Sequence, residues 1–280
     1  MTEWAGCGPA TVPGMDRPNA ASLWRLYGRH AVALFASGPR PSAHVTDRWF
    51  FAATGTDHLD MNQAVLFGDA TLEDAEAIAR IVLEAEVPCL LGCSDGVLER
   101  VAPALHSAGF EQMPKREAMY WRPGPPETPG PSPFEIRRVR SDLEVAGMLA
   151  IVEEAHGYDP AMVDQLYGDR ARGDDGFSAW IAWDGAEPVS FMIAIAIAGS
   201  LSLWEVQTPV RHRRRGAARA VVAGGLAGAA AAARQPIEDT LFWASPAGRP
   251  LYEAMGFIEA DLVDAWSLGA RPEDLAAVGA

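Results

Sequence analysis

One stretch constrains this chain more than any other, residues 201–233. LSLWEVQTPV reads as a strand ending at Thr208-Pro209. RHRRR follows at 211–215, Gly216-Ala217-Ala218 forms a small-residue turn, and a long Ala-rich helix continues from there. Strand, basic turn and helix start is the order a diphosphate seat requires. The first N–H groups of a helix have no intrahelical partner and lie at its positive end, so they hold an anion. Small residues let a ligand reach the backbone, and Arg adds charge-assisted hydrogen bonds. The competing reading is a solvated basic face or a nucleic-acid patch.

Composition bears on that choice. The 280 residues carry a net charge of −14, which disfavours nucleic-acid and anionic-membrane binding and favours cationic small molecules. The basic run is thus a local exception in an acidic chain. With 49% hydrophobic residues there is material for a large core and for two domains. Cys7, Cys89 and Cys93 show no metal-ligand spacing; Cys89 and Cys93 flank an apolar PCLLGC run and read as core thiols. No apolar run reaches the roughly 20 residues of a membrane helix, and residues 1–20 lack a secretory layout. A cytoplasmic location follows as the expectation.

Residues 1–19, rich in Gly and Pro, read as a loose lead-in. A helix is expected over 20–36, then strands in DRWFFAATG and NQAVLFG. Thr71, with Asp74 three residues on, signals a capping box for TLEDAEAIARIVLEA. VPCLLGCS is a buried strand, Asp95 is the expected cap of GVLERVAPALHSA, Gly109 ends that helix, and FEQMPKREAMYWRP returns as a strand. Residues 122–133 hold six prolines in twelve positions and read as an extended spacer between domains. Beyond it come a strand (FEIRRVR), a helix capped by Ser141 or Asp142, a short helix near 161–169 and three strands. The helix at 216–233, a strand (DTLFWAS), a helix through PAGRPLYEAMGF stopped by Gly256, and a last strand complete the half.

The order β-α-α-β-β-β-α-β-α-β, with the anion turn after the fourth strand, resembles the GNAT acyl-CoA-dependent N-acetyltransferases. The family's signature Gln/Arg-x-x-Gly-x-Gly/Ala is matched by Arg213-Arg214-Arg215-Gly216-Ala217-Ala218. A later Tyr-x-x-x-Gly-Phe is matched by Tyr252 through Gly256-Phe257. The resemblance covers 134–268. Residues 20–121 resemble the same family in degenerate form: Gly109-Phe110 parallels Gly256-Phe257, but DATLED carries acids where the phosphates would sit. The implied fold class is α/β (α+β), two GNAT-like domains, each a mixed, largely antiparallel sheet flanked by helices. The implied division is 1–121 non-catalytic, 122–133 linker and 134–280 catalytic.

The resemblance also implies roles. Arg213, Arg214, Arg215, Gly216, Ala217 and Ala218 hold the diphosphate, with Val206, Gln207 and Thr208 offering backbone groups to the pantetheine arm and thioester carbonyl. Tyr252 is the candidate acid for the departing thiolate, against a core Tyr on an amphipathic helix. Glu205 is the candidate base, against a solvent-facing or substrate-binding carboxylate. Glu153, Glu154 and Tyr158 lie in the region that lines the acceptor side, or form a polar helix end. Ser245 caps the last helix or touches the CoA.

The expectation is an N-acyltransferase moving acetyl from acetyl-CoA to a primary amine, small molecule or peptide, by direct attack in a ternary complex. No metal, nucleic acid or membrane is expected, and the chain acts as a monomer or homodimer. No Cys lies in the second half, which excludes a Cys acyl-enzyme there. The alternatives are a catalytically silent acyl-CoA-binding regulator and an enzyme of another acceptor chemistry, such as a thiol-forming ligase or a tRNA-dependent aminoacyl transferase; the acidic balance disfavours the tRNA user.

Overall fold

The structure is a computed structural model that describes residues 18–124, 130–173 and 176–271; Cys7 and the expected loose lead-in before residue 18 lie outside them. The N-terminal half runs α1 (Ala20–Phe35), β1 (Ser42–Val45), β2 (Trp49–Ala53), β3 (Asn62–Leu66), α2 (Leu72–Ala85), β4 (Cys89–Ser94), α3 (Leu98–Ser107) and β5 (Glu111–Pro123). The C-terminal half opens with β6 (Glu135–Arg138), α4 (Asp142–His156), α5 (Pro160–Val163) and α6 (Asp169–Arg172). It continues with β7 (Phe177–Asp184), β8 (Glu187–Ile197), β9 (Ser200–Gln207), α7 (Ala217–Ala232), β10 (Asp239–Ala244), α8 (Arg249–Glu253) and β11 (Ile258–Leu268). Strand β5 continues through Arg122 and Pro123, the first residues of the proline-rich segment, whose residues 125–129 lie outside the described ones.

Local chemistry explains most element starts. Thr71 and Asp74 form the expected capping box on α2, and Ser141 with Glu144 forms another on α4. Both Gly-Phe sequences end helices alike. Gly109 and Gly256 are left-handed, and the N–H groups of Phe110 and Phe257 donate to the carbonyls of Leu105 and Tyr252 at 3.0 and 3.1 Å. Three expectations need correction. Asp95 does not cap α3, which starts after Val97; its carboxylate instead pairs with Arg116 at 2.8 Å. The helix through 246–255 is broken into a 3₁₀ turn at Pro246–Gly248 and the short α8, and Ser245 makes no capping hydrogen bond. Strand β1 had no sequence signal, being a mostly exposed edge strand without alternation.

All strands join one sheet, ordered β1-β2-β3-β4-β11-β5-β10-β9-β8-β7-β6. Each half repeats one pattern of two antiparallel pairings followed by a parallel one, β1-β2-β3-β4 and β7-β8-β9-β10. The final strands are then exchanged: β5 lies against β10 of the other half, and β11 lies against β4. Helices α1 and α4 share one continuous core that spans both halves, from Leu23 and Phe50 to Ile193 and Trp204. The opposite face is covered by α2 and α3 in the first half and by α7 in the second. Helix α7 sits close to the sheet because Gly228 leaves room for the Trp180 ring, which a Cβ there would overlap.

A buried relay ties α1 to the centre of the second half. Trp204 Nε1 donates to Ser202 Oγ at 2.6 Å, and Ser202 Oγ lies 2.8 Å from His30 Nδ1. His30 Nε2 lies 2.8 Å from Ser200 Oγ, which donates to the Ile197 carbonyl at 2.6 Å. These partners fix a neutral imidazole carrying its proton on Nε2, and burial pulls its pKa down to about 3. As pH falls below the ordinary His value of about 6.5, the unfolded chain binds this proton and the folded chain does not. Stability is therefore lost as pH falls from about 6.5 towards 3, with a contribution approaching about 1.4 kcal/mol per pH unit. Denaturant titrations at pH 7 and pH 4.5 check this, since His30→Gln should lose less stability over that interval than wild type.

Candidate active site

Two elements of the second half create an opening in the sheet. The parallel strands β9 and β10 pair only at Ser200–Ser202 with Asp239–Leu241, although β9 runs on to Gln207 and β10 to Ala244. Each stays held on its outer side, Gln207 opposite Phe191 of β8 and Ala244 opposite Ala118 of β5, so the pair opens as a wedge. The cause is a bulge in β9. Two residues, Glu205 and Val206, stand against one on β8, and Glu205 is left-handed with φ of 51°. That conformation costs a non-glycine residue about 1–2 kcal/mol, a strain typical of functional sites. In the first half the matching pair β3–β4 stays in register through Leu66 and Cys93, at the end of β3, and does not open.

The mouth of the wedge leads to the start of α7. Its N-cap is Gly216, at φ of 88°, with no side chain to cap the first turn and open space where a Cβ would stand. Arg214 is also left-handed, and such turns gather N–H groups into a concave anion seat. At α2 the corresponding helix start is already filled: Thr71 and Asp74 close it, and Arg48 pairs with Asp74 at 2.9 Å. One helix start can therefore take an anion and its counterpart cannot.

The basic run is not uniform. Arg211 is held by Glu154 at 2.7 Å and by Glu187, and Arg215 by Asp184 at 2.6 Å. Arg213 donates to the Thr208 carbonyl at 3.1 Å, and Arg213, Arg214 and Arg219 make no ion pair among the described residues. All three are exposed around the helix start, and Arg219, in the first turn of α7, was not anticipated. Ala217 is buried under the turn and Ala218 is partly open. Thr208 Oγ1 lies 2.8 Å from Ser190 Oγ, and Val206 packs on the α7 side of the sheet.

Glu205 and Tyr252 flank the wedge from opposite faces. Tyr252 belongs to the α7-side core, its ring 4.3 Å from Phe242 and 5.7 Å from Tyr120. Burial pushes its phenol up, so the hydroxyl is protonated at neutral pH, and it makes no hydrogen bond among the described residues. Glu205 lies on the α1 and α4 side, where Gln207 Nε2 donates to its Oε2 at 2.8 Å. Burial first, then the charge of Asp60, raise its carboxyl to about 7, and the Gln207 hydrogen bond offsets part of this.

Asp60 comes from the first half, in the Leu59–Met61 turn between β2 and β3. Its Oδ2 accepts from the Tyr158 hydroxyl at 3.4 Å, and Tyr167 of the segment after α5 donates to Met61 Sδ at 3.2 Å. Tyr158 is thus brought towards Glu205. Glu154 is turned to Arg211 instead, and Glu153 is exposed. Asp60 was not found from sequence: it lies 145 residues before Glu205 in an ordinary polar turn, and no local pattern marks it. Among the described residues no His, Cys, Asp and Glu cluster is arranged to hold a metal, and no helix is long and apolar enough to cross a membrane. An open groove of about 590 Å³ between α2 and α3 is lined by Leu72, Leu83 and Ala104, none of them a candidate site residue.

The architecture is a mixed α/β fold of the GCN5-related N-acetyltransferase (GNAT) type, in tandem form. It is similar to the GCN5-related N-acetyltransferase from Kribbella flavida, with 14% identity, 89% of this chain and 96% of that chain covered, and a TM-score of 0.59. The GCN5-related N-acetyltransferase from Sphaerobacter thermophilus matches at 12% identity over 92% and 96%, with a TM-score of 0.56. A tandem GNAT protein from the clavulanic acid biosynthesis pathway matches at 10% identity over 95% and 91%, with a TM-score of 0.52. At such identities the likeness is one of fold. No protein-family model and no curated protein matches the sequence.

Proposed function

We propose that this chain is an acyl-CoA-dependent N-acyltransferase that moves an acetyl group from acetyl-CoA to a primary amine, with its one working site in the C-terminal half. The observation that carries the reading is the wedge between β9 and β10 beside an uncapped helix start. The extended pantetheine arm fits along the unpaired edge of β9, and the diphosphate fits on α7 with Arg213, Arg214 and Arg219 near it. Bound acetyl-CoA supplies an acetyl group activated as a thioester. Backbone N–H groups along the open edge of β9 polarise its carbonyl oxygen.

Glu205 takes the proton that the amine nitrogen must lose as its bond to the carbonyl carbon forms. Tyr252, on the other face of the wedge, gives a proton to the sulfur as the C–S bond breaks, and recovers it from solvent. The enzyme's contribution is positioning and proton exits, with no covalent intermediate. A cytoplasmic setting and a monomer or homodimer accompany this reading. Thiol release from acetyl-CoA in the presence of an amine panel tests it; acetyl-CoA binding without release from any amine would favour a silent acyl-CoA-binding regulator.

Tyr252→Phe separates the acid from the scaffold. The ring packing on Phe242 and Tyr120 is retained, so acetyl-CoA affinity should stay within about threefold while kcat falls by about 10²-fold. Turnover at the wild-type level would remove Tyr252 from the mechanism.

A further inference from the structure

The acceptor side of the site is built by both halves of the chain, and each half contributes a carboxylate. Asp60 of the first half bonds the Tyr158 hydroxyl, while Glu205 of the second is held by Gln207. Aromatic rings pack about Tyr158 and Trp204. His58 and His156 lie 4.7 and 5.3 Å from the Tyr158 ring, and Tyr27, whose hydroxyl bonds Gln63, stacks on Trp204 at 4.6 Å. Gln63 in turn donates to the Asp60 carbonyl at 3.3 Å, so the Asp60 turn is braced against the chain that leads to Glu205. The charges of Asp60 and Glu205 both add to burial in pushing the Tyr158 phenol up.

An independent observation points to a ligand. Gln207 is 3% exposed, and the amide oxygen on the same carbon as the nitrogen that holds Glu205 is buried with no hydrogen-bond partner. A buried acceptor left unpaired is costly, and one beside a carboxylate suits a donor with several hydrogens. An ammonium group has three. A second carboxylate, Asp60, bonded to the Tyr158 hydroxyl suits a second cationic centre through charge pairing and cation–π contact.

We propose that the acceptor is a diamine or larger polycation, its reacting nitrogen set between Glu205 and Gln207 Oε1 and a second ammonium held by Asp60 against the Tyr158 ring. The first half then serves as the specificity element of a site whose chemistry lies in the second. This rests on the amine-acylation reading above.

The test compares 1,4-diaminobutane with butylamine as acceptors at pH 8.5, above the Glu205 titration. Wild type should favour the diamine in kcat/KM by about tenfold or more, the worth of one charge-assisted hydrogen bond. In Asp60→Asn that ratio should collapse towards one, through KM more than kcat, and Asp60→Glu should restore part of it. Unchanged acetyl-CoA affinity shows that the variants are folded. An equal or greater rate with butylamine in wild type, or an undiminished ratio in Asp60→Asn, overturns the proposal while leaving N-acylation intact. If no amine releases thiol, calorimetry with 1,4-diaminobutane decides: binding that Asp60→Asn weakens tenfold supports the cation site apart from catalysis, and no binding overturns it.

Discussion

Glu205→Gln is expected to lower kcat by about 10²- to 10³-fold while acetyl-CoA binding stays near wild type. The carboxylate is isosteric with the amide, and the left-handed bulge that carries it is held by β8, so the wedge should survive. What disappears is the proton acceptor. A base must be ionised to act, and burial with the neighbouring Asp60 charge lifts this carboxyl to about 7. In wild type kcat/KM should therefore rise about tenfold per pH unit below 7 and bend over above it. The phenols facing Glu205, those of Tyr27, Tyr158 and Tyr167, add no step near neutrality, since burial holds all three above their ordinary range. In Glu205→Gln the limb with a bend at about 7 should be absent. A variant that keeps the wild-type rate and the same bend would remove Glu205 from the chemistry.

Gly216→Asp should raise the Kd for acetyl-CoA by about 100-fold or more. At φ of 88° with open space at the Cβ position, Asp is tolerated better than most residues, and its carboxylate falls on the first turn of α7. There it would do what Thr71 and Asp74 do for α2, satisfying the free N–H groups and presenting negative charge. Losing two or three charge-assisted hydrogen bonds and adding like-charge repulsion amounts to about 2–3 kcal/mol or more. Gly216→Ala carries the same backbone strain without the charge and should weaken binding far less. Titration calorimetry reads both, and wild-type affinity in the Asp variant would remove the diphosphate from this helix start.

The features read correctly from sequence were those written in neighbouring residues. Thr71 and Asp74 announce α2 because a capping box needs only four positions. Gly109-Phe110 and Gly256-Phe257 announce helix ends because the left-handed turn needs glycine. The start of α7 was legible because Gly216 and small residues follow a basic run at the end of a strand. Asp95 misled for a physical reason: it is a good cap by type, but Gly96, left-handed at φ of 75°, follows it, and Arg116 claims its carboxylate. The bulge at Glu205 carries no signal, since Glu is not a residue expected at positive φ. The meeting of Asp60 with Tyr158, and the exchange of β5 and β11, depend on register across the sheet, which tertiary packing sets.

The strand exchange governs the order in which this chain can acquire its structure. During synthesis the N-terminal half emerges first, but β5 at 111–123 has both its neighbours, β10 and β11, between residues 239 and 268. At roughly 5–20 residues per second its place does not exist until about 7–30 s after it has been made. Strand β4, made earlier, waits longer still for β11 with one edge unpaired. Contacts so distant in sequence make folding slow, and the exposed edges of the waiting half invite pairing with another nascent chain. The same exchange that joins the two halves in the finished sheet therefore makes the half-made chain the most vulnerable state of the molecule.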